Sequence, residues 1–285
     1  MKVLVTGATG FVGTYVVQNL LDRGIEVICT SVNEEKAAKA SWKGKVTYIP
    51  LDYMKDGENA FIRLGKPDKV IHLAWQRLNN FKDIYHLEEA LFPNYQFLKN
   101  LIADGLQDLT VVGTCLEYGL QEGELNEEQD TRPTVAYGLA KDTLRKFLEE
   151  LNKVTPFHLK WVRLFYPYGK GQQAKSLLSQ LDRALEEGQT TFNMSMGDQV
   201  RDFIPVADAA RNINDIALQN EYEGVVNCGS GDPVSVKTLV ERHLASVNQQ
   251  IELNLGHYPY PDYEAMKFWG SSEKLLKIRR LYTHE

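Results

Sequence analysis

The segment Val5-Thr6-Gly7-Ala8-Thr9-Gly10-Phe11-Val12-Gly13 constrains this chain more than any other. It stands between a short β-branched run, Lys2–Val5, and an amphipathic stretch, Phe11–Asp22, in which Val12, Tyr15, Val16, Leu20 and Leu21 recur at helical spacing. In such a strand–loop–helix the first glycine, Gly7, permits a tight turn. Gly10 lets the backbone approach a pyrophosphate, and Gly13 lets the helix pack closely on the sheet. Free N–H groups and the positive end of the helix then face an anion. The position of the loop points to a dinucleotide rather than to a plain turn.

The same alternation continues through the first half of the chain. Strand-like runs are Glu26–Thr30, Val46–Ile49, Lys69–Leu73, Leu109–Val112 and His158–Leu164, and helix-like stretches are Glu34–Lys39, His86–Ala103 and Tyr137–Asn152. Strand and helix in turn imply right-handed βαβ units: an α/β, doubly wound parallel sheet with helices on both faces. After Leu164 the pattern loosens into helices at Ser176–Glu187 and Ala207–Leu218, a strand at Val225–Cys228 and a tail rich in Pro, Tyr and Gly. The expected organisation is a dinucleotide-binding domain over 1–165, to which 203–228 return, with a smaller, discontinuous substrate lobe from 166–202 and 229–285.

Composition removes several alternatives. A net charge of −6 argues against a broad nucleic-acid footprint, which needs clustered Lys and Arg. Three widely spaced cysteines, Cys29, Cys115 and Cys228, suggest neither a disulfide framework nor a zinc site. The N-terminus lacks the features of a signal peptide, and no apolar run reaches the ~18–20 residues that span a bilayer. The expectation is a cytoplasmic protein with no metal, no membrane and no nucleic-acid partner.

Tyr137-Gly138-Leu139-Ala140-Lys141 places a phenol and an ammonium four residues apart, on one face of a helix. Free tyrosine has a pKa near ~10. A neighbouring Lys⁺ favours the phenolate, so that the tyrosine can trade protons with a substrate hydroxyl or carbonyl.

With a GxxGxxG loop preceded by Thr6 and a YxxxK downstream, the chain resembles the short-chain dehydrogenase/reductases (SDRs). Within them it resembles the extended, epimerase/dehydratase-like (Rossmann) branch that acts on nucleotide sugars. The resemblance implies a hydroxyl at the end of the fifth strand. In Val112-Gly113-Thr114-Cys115-Leu116-Glu117-Tyr118-Gly119 that hydroxyl is Thr114, expected to bond the reacting oxygen beside Tyr137 and Lys141. It implies cofactor contacts from Thr6, Gly7, Gly10, Phe11, Val12, Gly13, Ser31, Asp52, Tyr53, Leu73, Ala74 and Tyr166, with Tyr137 and Lys141. Gln76, Thr114, Cys115 and Arg201 are the expected substrate contacts, with Arg201 on a pyrophosphate. His72 and Asn94 read as structural, Cys115 also as a packing residue, and Glu117 is expected to face away by strand alternation.

Two departures narrow the chemistry. Dehydratases of this branch carry an Asp-Glu pair after the Thr, where this chain has Cys115 and Leu116. NAD-using relatives carry an Asp at the end of the second strand, where this chain has Ser31 with Lys36 and Lys39 nearby. The sequence therefore favours NADP(H), with NAD(H) the alternative. It favours reduction of the 4-keto group of a nucleoside-diphosphate 4-keto-6-deoxyhexose over an NAD-dependent 4-epimerisation. A non-catalytic redox-sensing regulator is disfavoured because Thr114, Tyr137 and Lys141 are all retained. By resemblance, a homodimer forms through His86–Ala103 and Tyr137–Asn152.

Overall fold

The computed structural model describes residues 1–55 and 57–282. In chain order the elements are β1 (Lys2–Thr6), α1 (Phe11–Asp22), β2 (Glu26–Thr30), α2 (Glu34–Ala38), β3 (Thr47–Tyr48), α3 (Ala60–Arg63), β4 (Lys69–His72) and α4 (Leu91–Ala103). There follow β5 (Asp108–Thr114), β6 (Gly123–Leu125), α5 (Ala136–Val154), β7 (His158–Leu164), β8 (Tyr166–Tyr168), α6 (Leu177–Glu186), β9 (Thr191–Asn193) and β10 (Val200–Arg201). The last are β11 (Phe203–Pro205), α7 (Val206–Leu218), β12 (Gly224–Cys228), β13 (Val234–Ser235), α8 (Val236–Ser246), β14 (Glu252–Asn254), β15 (Phe268–Gly270) and α9 (Glu273–Arg280).

Seven strands form one parallel sheet in the order β12-β7-β5-β4-β1-β2-β3. The chain runs outward from β1 to β3, then crosses back to β4 and runs outward the other way. That reversal, between β1 and β4, opens a crevice at the carboxyl ends of the strands, where ligands of such sheets bind. Helices cover both faces, and strand periodicity assigns each side chain to one of them. Leu4, Ile28, Val70, Val111 and Trp161 face the cluster that holds Phe97 and Leu101 of α4 and Leu144 and Leu148 of α5. Val3, Val27, Ile71, Val112 and Val162 face α1 and α7, through Val16, Leu20 and Ile213.

A second layer stands over the crevice. It has its own apolar cluster, in which Leu178 and Leu181 of α6 meet Leu239, Val240 and Leu244 of α8, closed by Phe192 and Met194. Four short strand pairs stand apart from the seven-stranded sheet: β8 with β11, β9 with β14, β10 with β13, and β15 with β6. Two features of this half differ from the sequence expectation. α8 and α9 were not anticipated, because their apolar stripes are broken by charge. α9, expected in the lobe as part of 229–285, returns to the sheet, where Leu275 and Ile278 join the α1/α7 cluster. Among the described residues no helix is long and apolar enough to cross a membrane, and no group of three His, Cys, Asp or Glu is placed to hold a metal.

Candidate active site

A cleft of about 1670 Å³ runs from the glycine loop, past the ends of β4 and β5, to α6 and the tail. At one end the loop turns at Gly7 (φ 67°), with Gly10 N–H donating to Gly7 O at 2.9 Å. A Cβ on Gly13 would lie 2.2 Å from Gly7 O, so only glycine lets α1 approach this closely. Gly10 caps α1 without a side-chain acceptor, which leaves the first amides of the helix for an anion. In the adjoining wall the Thr30 hydroxyl is buried without a partner among the described residues. A glycine cradle and an unspent hydroxyl fit a dinucleotide. Thr6, Phe11, Val12, Ser31, Tyr53, Leu73 and Ala74 also line this cleft.

Asp52 is the exception among the expected cofactor contacts. It lies outside the lining, where it accepts from Met54 N–H at 3.3 Å and pairs with Lys55 at 3.2 Å. The turn after β3 spends this carboxylate on itself. The floor beneath is a buried relay. Ala74 N–H donates to Thr6 Oγ1 at 3.3 Å, Thr6 Oγ1 meets His72 Nδ1 at 2.9 Å, and His72 Nε2 meets Asn94 Oδ1 at 2.8 Å. Tyr53 O–H donates to the same Asn94 oxygen at 3.0 Å. The network is satisfied with a neutral ring that donates from Nε2 and accepts at Nδ1. Burial first, then the charge of Lys141, holds His72 down at about 3. His72 and Asn94 are therefore structural, as their positions in the sequence suggested.

The expected trio lines one cleft. Thr114 ends β5, while Tyr137 and Lys141 lie one turn apart on α5, and all three line the cavity. The Tyr137 ring is 8% exposed and seated among aromatic neighbours: stacked on Phe81 (centroids 5.3 Å), and 5.2 Å from His86 and 6.0 Å from Trp75. Lys141 Nζ donates to Val112 O at 2.9 Å and sits 4.1 Å over the Trp75 ring. One expectation changes here. Burial pushes the Tyr137 phenol above its ordinary range, with Glu117 and Cys115 adding to it, and burial also draws Lys141 down to about 7. Burial favours the phenol form of Tyr137 over the phenolate.

Glu117 faces away from the cleft, as expected, but not by strand alternation. β5 stops at Thr114, and Cys115–Glu117 turn as one 3₁₀ unit that swings the Glu117 carboxylate into the core, outside the cleft lining. There it accepts from Thr114 N–H (2.9 Å), Trp161 Nε1–H (3.0 Å) and Arg163 Nε–H (2.9 Å), sealed from solvent. Sequence reasoning passed over Trp75 and Phe81, and the buried partners of Glu117. The signal for Glu117 was a capping box, Thr114-x-x-Glu117.

At the far end the structure rearranges the predicted substrate contacts. Gln76 lines the cleft, where its Oε1 accepts from Tyr85 O–H at 3.3 Å. Cys115 lines it as a buried thiol pushed well above its ordinary range by burial, which leaves it a packing group. Arg201 does not reach the cleft. It is 2% exposed, donates to Val200 O and Met266 O, pairs with Glu264 at 3.1 Å and lies 4.5 Å over Phe268. The expected pyrophosphate contact gives way to a structural one, because a carboxylate of the tail already occupies the guanidinium. Glu264 itself lines the cleft and accepts from Tyr166 O–H at 2.9 Å. Tyr166 thus belongs to this wall. Lys170 and Lys175, from the loop before α6, also line the cleft, and the Lys170 carbonyl accepts from Tyr15 O–H of α1 at 3.0 Å.

The model of the NAD dependent epimerase/dehydratase family matches residues 3–229, most of the chain. The chain belongs to that family. Across the family, a dTDP-6-deoxy-L-talose 4-dehydrogenase (NAD(+)) of Aggregatibacter actinomycetemcomitans is 30% identical over 95% of this chain and 100% of its own length. A dTDP-4-dehydro-6-deoxyglucose reductase of Escherichia coli is 22% identical over 84% of this chain and 79% of its own. Among solved structures, a UDP-glucuronic acid 4-epimerase of Bacillus cereus, with UDP-glucuronic acid and NAD, superposes with a TM-score of 0.83. It is 21% identical and covers 98% of this chain and 93% of its own. MoeE5 with UDP-glucuronic acid and NAD gives 0.82 at 23% identity, over 98% and 92%. These structures share the Rossmann-like fold of the family, and the family makes this chain an enzyme that works with a nicotinamide dinucleotide.

Proposed function

We propose that this chain reduces the 4-keto group of a nucleoside-diphosphate 4-keto-6-deoxyhexose, reversibly, with NAD(H). The observation that carries the reading is the meeting of Thr114, Tyr137 and Lys141 in one cleft, with Cys115 and Leu116 where a dehydrating carboxylate pair would stand. The full-length likeness to a 6-deoxyhexose 4-dehydrogenase supports the same substrate class. The NADP(H) preference read from the sequence has no such support: the relatives and neighbours that name a cofactor name NAD.

When bound, the nicotinamide supplies or accepts the hydride at C4. The remaining work falls to the chain. Tyr137, held as a phenol by burial, donates its proton to the carbonyl oxygen as that oxygen becomes an alcohol. Thr114 donates a hydrogen bond to the same oxygen and stabilises its developing charge. Lys141, near neutrality at about 7, replaces the proton that Tyr137 gives up and fixes the ribose beside the ring. The aromatic box of Trp75, Phe81 and His86 keeps water from the phenol. Lys170 and Lys175 meet the diphosphate in place of Arg201.

The protein acts as a homodimer through the outer faces of α4 and α5, where Phe92 and Phe147 are exposed and Tyr95 packs 5.2 Å from Phe147. The segments 166–202 and 229–272 serve as the substrate lobe, and the three buried free cysteines suit the reducing cytoplasm. The test is turnover of dTDP-, CDP- and GDP-4-keto-6-deoxy sugars by the full chain, followed by loss of NADH absorbance. Oxidation with at least one of them is expected. No oxidation with any, together with NAD that copurifies and interconversion of 4-epimers without net consumption, would replace this reading with the 4-epimerase.

A further inference from the structure

The second strand ends at Thr30 and is followed by Ser31, about 20 residues beyond the glycine loop, where a dinucleotide fold ordinarily places a carboxylate on the adenosine ribose. A serine there is ambiguous in isolation. Its hydroxyl can accept from a ribose diol, as a carboxylate does, or donate to a 2′-phosphate. Which of the two it does depends on where its single proton is spent.

The neighbouring strand answers that question. Tyr48 of β3 pairs in register with Cys29 of β2, which brings its phenol beside Ser31. Tyr48 O–H donates to the Ser31 carbonyl at 3.2 Å, and the Tyr48 and Ser31 hydroxyl oxygens lie 3.1 Å apart. Tyr48 has one proton for these two contacts, and either hydroxyl can donate in the second. Where the carbonyl takes the phenol proton, the Ser31 proton goes to the phenol oxygen. Tyr48 is held in place by its own ring, 6.0 Å from Trp42, which is 1% exposed. In that arrangement Ser31, 8% exposed and lining the cleft, shows a ligand lone pairs only.

We propose that the Ser31–Tyr48 pair is an uncharged substitute for the missing carboxylate: a hydroxyl made acceptor-only, which selects the ribose diol of NAD(H) against a 2′-phosphate. The diol has two donors to offer Ser31. A phosphate at neutral pH offers acceptors, so oxygen faces oxygen and its desolvation is left uncompensated. The cations nearby do not reverse this. Lys36 and Lys39 are exposed on the cleft rim beside Glu34 and Glu35, and Lys39 is held by Glu35 at 2.6 Å. Screening by water and this neutralisation leave little net attraction. The inference rests on the nicotinamide-dinucleotide reading of the cleft and not on the identity of the sugar.

The experiment is fluorescence titration of the full chain with NADH and with NADPH, without any sugar. The wild type should bind NADH more tightly. Tyr48→Phe removes the acceptor that consumes the Ser31 proton, so Ser31 can turn and donate. The NADPH-to-NADH ratio of dissociation constants should fall by about threefold to tenfold, the worth of one hydrogen bond, chiefly through tighter NADPH. Ser31→Asp restores a charged acceptor at the same place and should raise the ratio above wild type. Thermal melts identify a variant that does not fold, and the Ser31→Asp comparison then decides alone. A wild type that prefers NADPH or binds neither nucleotide, a folded Tyr48→Phe with an unchanged ratio, or a Ser31→Asp ratio no higher than wild type overturns the proposal. Sugar turnover fails or succeeds independently: an inert protein with this NADH preference would refute the ketoreductase and leave the selectivity device standing.

Discussion

Glu117→Gln probes the buried support behind Thr114. Glu117 and Arg163 are both sealed from water, and the two carboxylate oxygens divide their work. Oε1 accepts from Thr114 N–H and Trp161 Nε1–H, while Oε2 takes the charge-assisted bond from Arg163 Nε and shares the Trp161 proton at 3.1 Å. Glutamine keeps an oxygen for the first two and turns an NH₂ toward the guanidinium, which strands its charge. Breaking a buried ion pair by removing one partner costs about 3–5 kcal/mol. A domain holds only ~5–15 kcal/mol in total. With a urea slope of ~3 kcal/mol/M, the midpoint should fall by about 1–1.7 M. Arg163→Met alone should cost less, because burial already pushes the Glu117 carboxyl upward and the stranded group can take up a proton. The double variant Glu117→Gln/Arg163→Met removes both charges and leaves the two Oε1 bonds intact. Its loss should shrink to about 1–2 kcal/mol, so the cycle closes with strong positive coupling. Urea unfolding of the four proteins at pH 7 measures this. A Glu117→Gln midpoint within error of wild type, or a double variant that loses the sum of the two singles, would refute the account.

Four further outcomes follow from the same geometry. Tyr137→Phe should lower kcat by about 10²–10⁴-fold while leaving NADH affinity and melting temperature near wild type, because only the proton is removed from a ring packed among aromatics. Gly13→Val should abolish NADH binding in fluorescence titration, since even a Cβ there meets Gly7 O at 2.2 Å. Stability should depend on pH through His72 and Lys141, both depressed in the folded chain. His72, at about 3 folded against 6.5 unfolded, contributes stability that is complete above 6.5 and is lost as pH falls toward 3. Lys141, at about 7 against 10.5, contributes stability that is complete above 10.5 and fully lost below 7. Urea midpoints at a series of pH values should therefore rise from acid to alkaline, less steeply on the acid side in His72→Asn. Phe92→Glu with Phe147→Glu should give a monomer by light scattering if the α4/α5 faces form the dimer.

What the sequence alone determined was the part of the molecule governed by local rules. The glycine loop, the strand and helix periods of β1 to β7, and the Tyr137/Lys141 spacing are each readable within a few residues. In a parallel sheet these local signals leave few topologies. They placed Thr114, Tyr137 and Lys141 in the cleft and His72 and Asn94 beneath it. What only the tertiary structure decided was the partner of each polar side chain across long stretches of chain. Arg201 matched a phosphate-binding pattern, yet Glu264, 63 residues away, occupies its guanidinium. Ser31 looked suited to a phosphate, yet the Tyr48 hydroxyl, 17 residues on, stands 3.1 Å from its own. Glu117 turned inward because a 3₁₀ unit broke the strand and Trp161 and Arg163 of the next strand waited behind it. A side chain's residue type fixes which hydrogen bonds it can make, but only the packed neighbours fix which of them remain for a ligand.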